Sequence, residues 1–525
     1  MRAFNIADLY EIVAETIPDR PALVAGDVRL TYAELDERSA RVAAALLAAG
    51  VGPGDHVAVL SGNRAEWHEL LLGCFKARCA PINVNHRYTT DEIRYVLQDS
   101  GAVALVVEAS LAELVPARDG LPALRSIITI GDTALPEAIE YEAALASADP
   151  STAAGPRSGD DPYVLYTGGT TGSPKGVVWR VEDLFFAALG GGNPAGPPIQ
   201  APEELASVLS PEWAPWLVTS PMMHGNGQWN SLLPLLTGRG VVLWTGRSFD
   251  AAAIARLVET ERPQLLVLVG DAMALPFLDA VTEASFDLSS LAVVVSGGAM
   301  LSPSTKTRIE KAVPGAMVVD GFGASETGSS GTMVGSGSDS LPRFSVGPDV
   351  AVLDDDLRPV APGEVGKLAR RGHVPLGYWN DPEKTAATFP TDADGTRWAV
   401  PGDLARLEDD GTLTLLGRGS SCINTGGEKV HPDEVAHAIK EHPAVLDALV
   451  VGAPDERFGQ AVVALITSGD DPAPDHDAIR AHLRPVLAGY KLPRRVVVVP
   501  EIRYTPQGKP DLAWAASAAA GEQEQ

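Results

Sequence analysis

The alternation of helices with short Val- and Leu-rich strands is the feature that most constrains the fold of this chain. The pattern runs through about residue 320. Residues 31–34 have the sequence of a capping box, which predicts the start of a helix. A buried strand is expected at 57–60, a helix at 66–77 and another strand at 103–107. Helices that alternate with strands predict α/β layers built on parallel sheet.

Three apolar strands in this region end beside residues that suit a ligand site. They cover 264–269, 292–295 and 317–319, and each runs into glycine or an acidic residue within two positions. In open α/β sheets, ligands bind at the carboxyl ends of the strands. The sequence therefore predicts a ligand site at these strand ends.

After about residue 350 the pattern changes to an antiparallel unit followed by a small α+β module. The antiparallel unit is expected to contain strands at 351–353, 366–369 and 413–416. The module is expected to contain helices at 433–440 and from 479 to Pro485, and strands at 448–451, 462–466 and 496–499. Three stretches are expected to be irregular: a loop within 186–215 after a helix end, the Ser- and Gly-rich residues 328–345, and a frayed tail from 513.

Length, charge and cysteine content exclude several classes of protein. The 525 residues exceed one ordinary core and predict two or more domains. The net charge of −27 argues against nucleic acid or an anionic membrane as the main partner. Cys74, Cys79 and Cys422 are too few for a disulfide framework, and neither a signal segment nor a long apolar run is visible. We therefore expect a cytoplasmic chain without an integral membrane segment. Its oligomeric state stays open, with a homodimer as one possibility.

The stretch YTGGTTGSPKGVVW at residues 166–179 predicts a phosphate-binding loop. It holds four glycines, four Ser or Thr hydroxyls and Lys175, between strand-like apolar flanks. Glycine lets backbone N–H groups approach an anion, hydroxyls add donors, and lysine adds a charge. A surface linker is the alternative, which the apolar flanks argue against. The spacing differs from the P-loop pattern, because Pro174 precedes the lysine and Gly176 follows it.

Further motifs follow along the chain. They are SPMMHGNGQW with His224, VVSGGAM with Gly297, Gly298 and Ala299, VDGFGASETG with Asp320, Gly321, Phe322, Gly323, Ser325 and Glu326, VPGDLARLEDDGTLTLLGR with Asp403 and Arg418, NTGGEKVHPDEV with Lys429, and YTPQGKPD with Lys509. Taken singly, His224 could be a structural histidine and Asp403 a turn former. Lys509 and Glu326 could be solvated surface charges. The ordered set favours a shared functional role.

Taken together, in this order and at these spacings, the motifs resemble those of the adenylate-forming superfamily of acyl-CoA synthetases, adenylation domains and luciferases. The resemblance covers essentially the whole chain. VVWRVEDLFFAALGG and GRGSSCINTGGEKVHPDEV are similar to the actinobacterial branch that handles fatty or steroid side-chain acids. The resemblance implies a large α/β N-terminal domain of layered sheets and helices with a distorted β-barrel-like part at 1–417. It also implies a hinge at 418–420 and a small mobile α+β domain at 421–525.

The resemblance implies an ATP site as well. The loop that would bind the β- and γ-phosphates comprises Thr167, Gly168, Gly169, Thr170, Thr171, Gly172 and Lys175. Glu326 would hold Mg²⁺ and Ser325 would donate to phosphate. The adenine slot would comprise Gly297, Gly298, Ala299, Asp320, Gly321, Phe322 and Gly323, with the Phe322 ring stacked on the base.

Four further roles come from the resemblance. Asp403 would accept hydrogen bonds from the ribose hydroxyls, and Arg418 would contact ribose or phosphate. His224 would lie near the reacting carboxylate. Lys509, carried by the small domain, would meet the carboxylate and the α-phosphate as charge develops there.

The implied reaction is the ATP-dependent ligation of an acid to CoA. A carboxylate has no competent leaving group, and AMP supplies one, so the acid and ATP give acyl-AMP and pyrophosphate before CoA displaces AMP. The small domain would then rotate about Ser420, where many relatives have aspartate or lysine, and withdraw Lys509. The Gly426–Gly427 loop, with Lys429 near it, would face the site after this rotation.

The acyl group and its acceptor stay open at this point. An enzyme that loads a carrier protein, an aryl-acid CoA ligase and a nucleotide sensor without turnover are the alternatives. A carrier domain is not visible in the sequence, which favours CoA, and retention of Lys509 and Glu326 argues against a sensor. The acyl pocket is expected near His224, Asn226, Trp229 and the segment after Ala299. Trp229 is either a wall of this pocket or part of the core. The glycines at 190–192 and around 225–227 are expected to leave room for a long or polycyclic acid.

Overall fold

The structure is a computed structural model that describes residues 2–132, 135, 137–167, 173–194, 196–334, 343–418, 423–425, 428–455, 459–469, 472–487, 489–505 and 510–521. Within these ranges, no helix is both long enough and apolar enough to cross a bilayer.

The helices in these ranges are α1 (Ile6–Thr16), α2 (Tyr32–Ala48), α3 (Glu66–Lys76), α4 (Thr90–Ser100), α5 (Tyr141–Ser147), α6 (Val181–Ala188), α7 (Gly225–Leu236), α8 (Ala251–Glu261), α9 (Gly270–Glu283), α10 (Pro303–Ala312), α11 (Pro382–Thr388), α12 (Pro432–Lys440), α13 (His476–Leu483) and α14 (Leu512–Ala520). Short 3₁₀ helices cover Ala109–Leu114, Arg118–Gly120, Gly190–Gly192, Pro202–Ser207 and Gly489–Lys491.

The strands are β1 (Pro21–Ala25), β2 (Val28–Thr31), β3 (His56–Leu60), β4 (Ala80–Val84), β5 (Ala104–Glu108), β6 (Ser126–Ile130), β7 (Ile139–Glu140), β8 (Pro162–Thr167), β9 (Lys175–Arg180), β10 (Trp216–Val218), β11 (Val241–Leu243), β12 (Leu265–Leu268), β13 (Val293–Gly297), β14 (Met317–Ala324), β15 (Gly328–Val334), β16 (Arg343–Val346), β17 (Val350–Leu353), β18 (Val365–Arg370), β19 (Gly377–Tyr378), β20 (Asp403–Leu407), β21 (Leu413–Arg418), β22 (Ile423–Thr425), β23 (Glu428–Val430), β24 (Val445–Asp455), β25 (Gly459–Ser468) and β26 (Arg495–Val498).

The predicted capping box is present at the start of α2. The Thr31 hydroxyl accepts from the Glu34 N–H at 3.2 Å, and the Glu34 carboxylate accepts from the Thr31 N–H at 2.8 Å. Two otherwise unpaired donors of the first helical turn are thereby satisfied. Thr89 and Glu92 repeat the arrangement before α4.

An eight-stranded sheet carries much of the first part of the chain. Its order is β19-β9-β8-β4-β3-β5-β6-β7, and β8, β4, β3, β5 and β6 run parallel to their neighbours within that set. Strand β9 turns back antiparallel against β8, so the predicted phosphate loop connects the two strands of a hairpin. The predicted α/β layers with parallel sheet are confirmed.

A thirteen-stranded sheet combines parallel and antiparallel parts. In the order β17-β18-β20-β21-β16-β15-β14-β13-β12-β10-β11-β1-β2, the strands from β14 to β1 are parallel and those from β17 to β14 are antiparallel. The antiparallel strands are those expected in the barrel-like part. Because β16 pairs with both β15 and β21, they continue the large sheet, and the described strands close no barrel.

The expectation of irregular structure at 328–345 is wrong at both ends. Residues Gly328–Val334 form β15, which pairs along β14, and β16 begins at Arg343. Serine and glycine are weak strand formers, but the edge of β14 offers backbone partners, and tertiary pairing overrides local propensity. Residues 335–342 lie outside the described ranges.

The small module is a five-stranded sheet with helices on both faces. Helices α12 and α13 pack on one face and α14 on the other, where Ala515 and Ala519 are fully buried. The expected frayed tail is therefore wrong for 513–520, which lie in α14. Asp511 caps the helix by accepting from the Trp514 N–H at 3.0 Å, and Gly521 ends it with a left-handed φ of 85°. The segment gave no clear periodic signal because most of its positions are alanine.

His68 in α3 is expected to make stability sensitive to acid. Its side chain is fully buried, and this burial lowers the pKa of the imidazole to about 4. Below about pH 6.5 the imidazole is protonated in the unfolded chain but stays neutral in the folded one. The free energy of unfolding therefore falls as the pH falls, by about 3 kcal/mol at pH 4. Urea unfolding of His68→Leu and wild type at pH 7 and pH 4 checks this. The variant should lose that much less on acidification, and an identical loss in both proteins would contradict it.

Candidate active site

The two glycine motifs predicted to form the adenine slot lie on neighbouring parallel strands. The register of β13 and β14 pairs Ser296 with Asp320 and Gly297 with Gly321. Both motifs therefore lie at the carboxyl end of the large parallel sheet, the edge at which α/β sheets bind ligands.

The chain bends sharply after β13. Gly298 has a φ of 87°, which suits glycine because side chains disfavour the left-handed region. The Ser296 hydroxyl donates to the Ala299 carbonyl at 2.7 Å and accepts from the Gly270 N–H at 2.9 Å. On β14, a Cβ at Gly323 would collide with the Gly328 carbonyl oxygen. Backbone rather than side chains therefore forms much of this edge.

Asp320 forms a buried ion pair beneath this edge. Its carboxylate lies 2.6 Å from the Lys306 ammonium, and the two side chains are 1% and 3% exposed. The other carboxylate oxygen accepts from the Leu301 N–H at 3.2 Å. Burial raises the pKa of the Asp320 carboxyl, and Lys306 opposes that rise. The Asp320 side chain thus holds the segment after Gly298 in place.

Phe322 packs edge-on against Phe344, with ring centroids 4.8 Å apart. Its ring is half-buried beside the antiparallel part of the sheet. This T-shaped contact helps to fix the orientation of the Phe322 ring.

His224 precedes α7 close to this edge. It is the N-cap residue of the helix, with extended backbone and a half-buried side chain. Asn226 donates to the Gly297 carbonyl at 3.1 Å and to the Ser220 hydroxyl at 2.9 Å. The start of α7 is therefore fixed to the end of β13, which brings His224 next to the predicted adenine residues.

The glycines expected to leave room for a bulky acid do not do so. A Cβ at Gly225 would meet Leu165 at 2.8 Å and Trp229 at 3.3 Å. A Cβ at Gly192 would meet Leu205 at 2.9 Å, and Gly191 is covered by Pro198. Neighbouring side chains already fill these spaces, so the glycines serve close packing. The same contact makes Trp229 a packing residue over Gly225.

Lys175 begins β9 opposite Thr167, with the loop 168–172 outside the described residues between them. The Lys175 ammonium forms an ion pair with the Asp381 carboxylate. Its hydrogen bond to the carboxylate holds the pKa of Asp381 below the ordinary value. Asp381 also caps α11 by accepting from the Lys384 N–H at 2.9 Å. The lysine is thus held at the foot of the loop by a charge on a separate element.

Glu326 is joined to the same hairpin through Tyr378. The Tyr378 hydroxyl donates to the Glu326 carboxylate at 2.7 Å, and β19, which carries Tyr378, pairs with β9 opposite Val177. On the other side, the Trp179 indole donates to the Ser325 carbonyl at 2.9 Å. The motif at 325–326 therefore lies against the hairpin that carries the predicted phosphate loop.

Asp403 and the main chain of Arg418 are cross-strand partners at one end of β20 and β21. Gly402 before Asp403 has a φ of 100°, so the PGD motif is also a turn. A Cβ at Gly417 would collide with the Asp433 carboxylate near the start of α12. The small module therefore contacts the large part of the chain beside the predicted ribose residues.

Several predicted residues lie outside the described ranges. These are Gly168, Gly169, Thr170, Thr171 and Gly172, the hinge residue Ser420, the Gly426–Gly427 pair and Lys509. The main chain of Lys429 lies in β23. On either side of the Lys509 segment, Tyr504 and Pro510 form an antiparallel bridge, and the Tyr504 hydroxyl donates to Asp447 at 2.5 Å.

Sequence reasoning missed three residues that connect the site. Tyr378 and Asp381 belong to GYWNDPEKT, in which Asp-Pro at a helix start was a usable signal for a cap but not for contact with Lys175. Arg370 donates to the carbonyls of Ala187, Thr327 and Ser329 at 3.2, 2.8 and 2.5 Å. Burial lowers the pKa of its guanidinium. Such contacts join distant segments, so local patterns could not reveal them.

The comparisons with known proteins agree with this arrangement. A family profile described as AMP-binding enzyme matches residues 10–379, and one described as AMP-binding enzyme C-terminal domain matches residues 434–509. The chain is 43% identical to a medium-chain acyl-CoA ligase of Mycobacterium avium, over 98% of both chains. It is 41% identical to a 3-oxocholest-4-en-26-oate–CoA ligase of Rhodococcus rhodochrous, over 98% of this chain and 95% of the other.

Solved structures give the same grouping. The chain superimposes on an anthranilate CoA ligase in complex with anthranoyl-AMP with a TM-score of 0.84, at 25% identity and over 98% of each chain. The amide bond synthetase McbA of Marinactinospora thermotolerans matches with a TM-score of 0.81, at 26% identity, over 98% of this chain and 99% of the other.

Proposed function

The chain belongs to the AMP-binding enzyme family and is an AMP-forming acyl-CoA ligase, and we propose that its acid is a medium- or long-chain fatty acid or the side-chain acid of a steroid. The nearly full-length relatives at 41–43% identity support this range of acids. An aryl acid, as in the structurally similar anthranilate ligase, is the alternative that the experiment below separates.

Two structural observations support the proposed ATP site. Tyr378 joins Glu326 to the hairpin that holds Lys175, while Asn226 joins the His224 helix to the end of β13. The groups expected at phosphate, base and acid therefore come from separate elements that are tied to one another. This is the arrangement that a reaction between two bound anions needs, because both must be held close while their charges are offset.

The chain's residues divide the first half-reaction as follows. Residues 297–299 and 320–323 form the slot for the base, with the Phe322 ring stacked on it. Lys175 with the loop hydroxyls offsets charge on the departing pyrophosphate. His224 lies where the acid carboxylate approaches the α-phosphate. Lys509 offsets the charge that develops between them. The carboxylate oxygen attacks the α-phosphorus, the bond to pyrophosphate breaks, and in the second half-reaction the CoA sulfur attacks the acyl carbon and releases AMP.

The donor set fits Mg²⁺. Glu326 offers a half-buried carboxylate and the adjacent Ser325 offers a hydroxyl, and both are hard oxygen ligands. Across the described ranges, no three or more His, Cys, Asp or Glu side chains are grouped to hold a metal alone. Mg²⁺ is commonly held by one or two carboxylates together with substrate phosphates, and when bound it would offset phosphate charge.

Glu326→Gln is expected to raise the Mg²⁺ concentration needed for half-maximal pyrophosphate release and to lower kcat/KM for ATP about a hundredfold, because the amide cannot replace a charged ligand. Tyr378→Phe is the control. It removes one hydrogen bond to the Glu326 carboxylate but keeps the negative charge, so kcat/KM for ATP should fall by about tenfold or less. An unchanged Mg²⁺ dependence in Glu326→Gln would remove this residue from the metal site.

We also propose the domain division at 1–417, 418–420 and 421–525, with Ser420 as the hinge. Two observations support it: β21 ends at Arg418, and the match to the C-terminal profile begins at residue 434. A reducing compartment such as the cytoplasm is proposed on the buried free thiols of Cys74 and Cys79.

The substrate proposal is tested by competition among acids. Purified protein is incubated with ATP, Mg²⁺, CoA and an equimolar mixture of medium-chain, long-chain, steroid side-chain and aryl acids, and the thioesters are quantified by mass spectrometry. We expect fatty or steroid thioesters to dominate. A dominant aryl thioester would overturn the proposed acid class while leaving the ligase assignment intact.

A further inference from the structure

Three amide side chains surround the segment 220–223 that precedes His224. They are Asn63 after β3, Asn83 in β4 and Gln228 in α7. Asn83 and Gln228 are buried, with 5% and 2% of their surface exposed. All three hydrogen bond to the main chain of this segment, and Asn63 and Asn83 come from distant parts of the sequence.

Asn63 and Gln228 hold the middle of the segment. The Asn63 amide donates to the Ser220 carbonyl at 3.1 Å and accepts from the Met222 N–H at 2.7 Å. Gln228 donates to the Met222 carbonyl at 2.9 Å and accepts from the Tyr163 hydroxyl at 2.8 Å. A short irregular segment thus gains the hydrogen bonds that a strand or helix would otherwise supply.

Asn83 makes a different set of contacts. Its amide nitrogen donates to the Met223 carbonyl at 2.7 Å and to the Tyr166 carbonyl at 2.8 Å. Its amide oxygen accepts from the Tyr166 N–H at 2.7 Å. Tyr166 immediately precedes Thr167, where the predicted phosphate loop begins, and Met223 immediately precedes His224. One side chain therefore touches the main chain beside both the phosphate loop and the acid-binding histidine.

We propose that Asn83 is a positioning residue that couples the phosphate loop to the His224 segment. The inference rests on the proposed function, since it assumes that ATP binds beside the Tyr166 contact and the acid beside the Met223 contact. The amide uses both N–H groups and its oxygen, so it fixes the separation of two main-chain segments that no continuous strand pairing joins. Adenylation requires the carboxylate and the α-phosphate at close approach, and a small misplacement of either is costly.

A residue that only satisfied buried backbone groups would behave differently. Its removal would lower the stability of the fold and would not raise the KM values for ATP and for the acid together. Asn63 offers a matched control, because it contacts the same segment through an amide of the same size. Its remaining contact runs to the Trp244 carbonyl at 3.0 Å, away from β8. Asn63→Ser should therefore disturb the acid side alone.

The experiment compares Asn83→Ser and Asn63→Ser with wild type in the full chain. Pyrophosphate release is measured against ATP at saturating acid and against acid at saturating ATP, with the acid that wild type uses best. Asn83→Ser is expected to raise KM for ATP and KM for the acid together, each about tenfold or more. Asn63→Ser is expected to raise only KM for the acid. At saturating supplied acyl-AMP, the rate of thioester formation should be unchanged in both, because the acyl group and AMP are already joined and no longer have to be brought together.

Each result decides the inference. A rise in only one KM for Asn83→Ser, or no rise in either, would overturn it. If Asn83→Ser does not fold, Asn83→Thr keeps nearly the same side-chain volume and buries no charge but cannot make all three hydrogen bonds, and the same joint rise is expected. Inactive wild type with every acid would instead overturn the proposed function.

Discussion

Replacing Lys509 with alanine is expected to lower acyl-AMP formation about a hundred- to a thousandfold while sparing thioester formation from supplied acyl-AMP. The lysine offsets charge that develops only while the acid attacks the α-phosphate, so its loss raises the barrier of that step. Once acyl-AMP exists, the small domain would have withdrawn the lysine. The measurement is pyrophosphate release for the first half-reaction and CoA thioester from synthetic acyl-AMP for the second.

The control for this prediction is Arg495→Ala. Arg495 is an exposed cation at the start of β26 in the same module, so its removal changes the module's charge equally without touching the site. We expect it to match wild type in both half-reactions. An equal fall of both half-reactions in Lys509→Ala would show that this chain does not separate them by moving the small domain.

Replacing Lys306 with methionine is expected to cost about 3–5 kcal/mol of unfolding free energy, because it leaves the Asp320 carboxylate buried without its partner. The two side chains are almost fully buried and lie 2.6 Å apart. The measurement is chemical denaturation at neutral pH. The KM for ATP is expected to rise as well, because the Asp320 carboxylate also holds the Leu301 N–H beside the predicted adenine slot.

The pH dependence and the double variant separate the charge from the packing. Burial already raises the pKa of Asp320, and without Lys306 it should rise further, so the folded variant keeps a proton that the unfolded chain loses above about pH 3.9. The variant's deficit relative to wild type should therefore grow as the pH rises from acidic to neutral. Lys306→Met with Asp320→Asn should recover most of the loss, and a double variant as unstable as the single one would contradict this account.

The parts of the fold that local chemistry specifies were predictable. The 31–34 capping box, the strands that became β3, β5 and β12, and the strand ends beside the glycine motifs follow from periodicity, caps and composition. Errors arose where tertiary contacts overrode weak local signals. Ser- and Gly-rich residues became β15 because β14 offered an edge, and an alanine-rich tail became α14 because the small sheet offered a face.

For the site, the sequence supplied the residues and the structure supplied their connections. Motif order predicted Lys175 and Glu326, and neither motif indicated Asp381 or Tyr378 as the partners that hold them. Asn83 lies within an ordinary buried strand in the sequence. Its contacts become visible only in the structure, where β4 pairs with β8. The expected role of the glycines at 190–192 failed for a related reason, since the space beside a glycine depends on neighbours that are remote in sequence.

The most direct test of the central claim is AMP formation by the full chain with ATP, Mg²⁺ and a panel of fatty, steroid side-chain and aryl acids, each with and without CoA. We expect AMP release that depends on both the acid and CoA, with one AMP formed for each acyl-CoA. Acid-dependent pyrophosphate release that CoA does not turn into acyl-CoA would contradict CoA as the acceptor and point to a carrier protein. Neither product with any acid of the panel would contradict the proposed range of substrates.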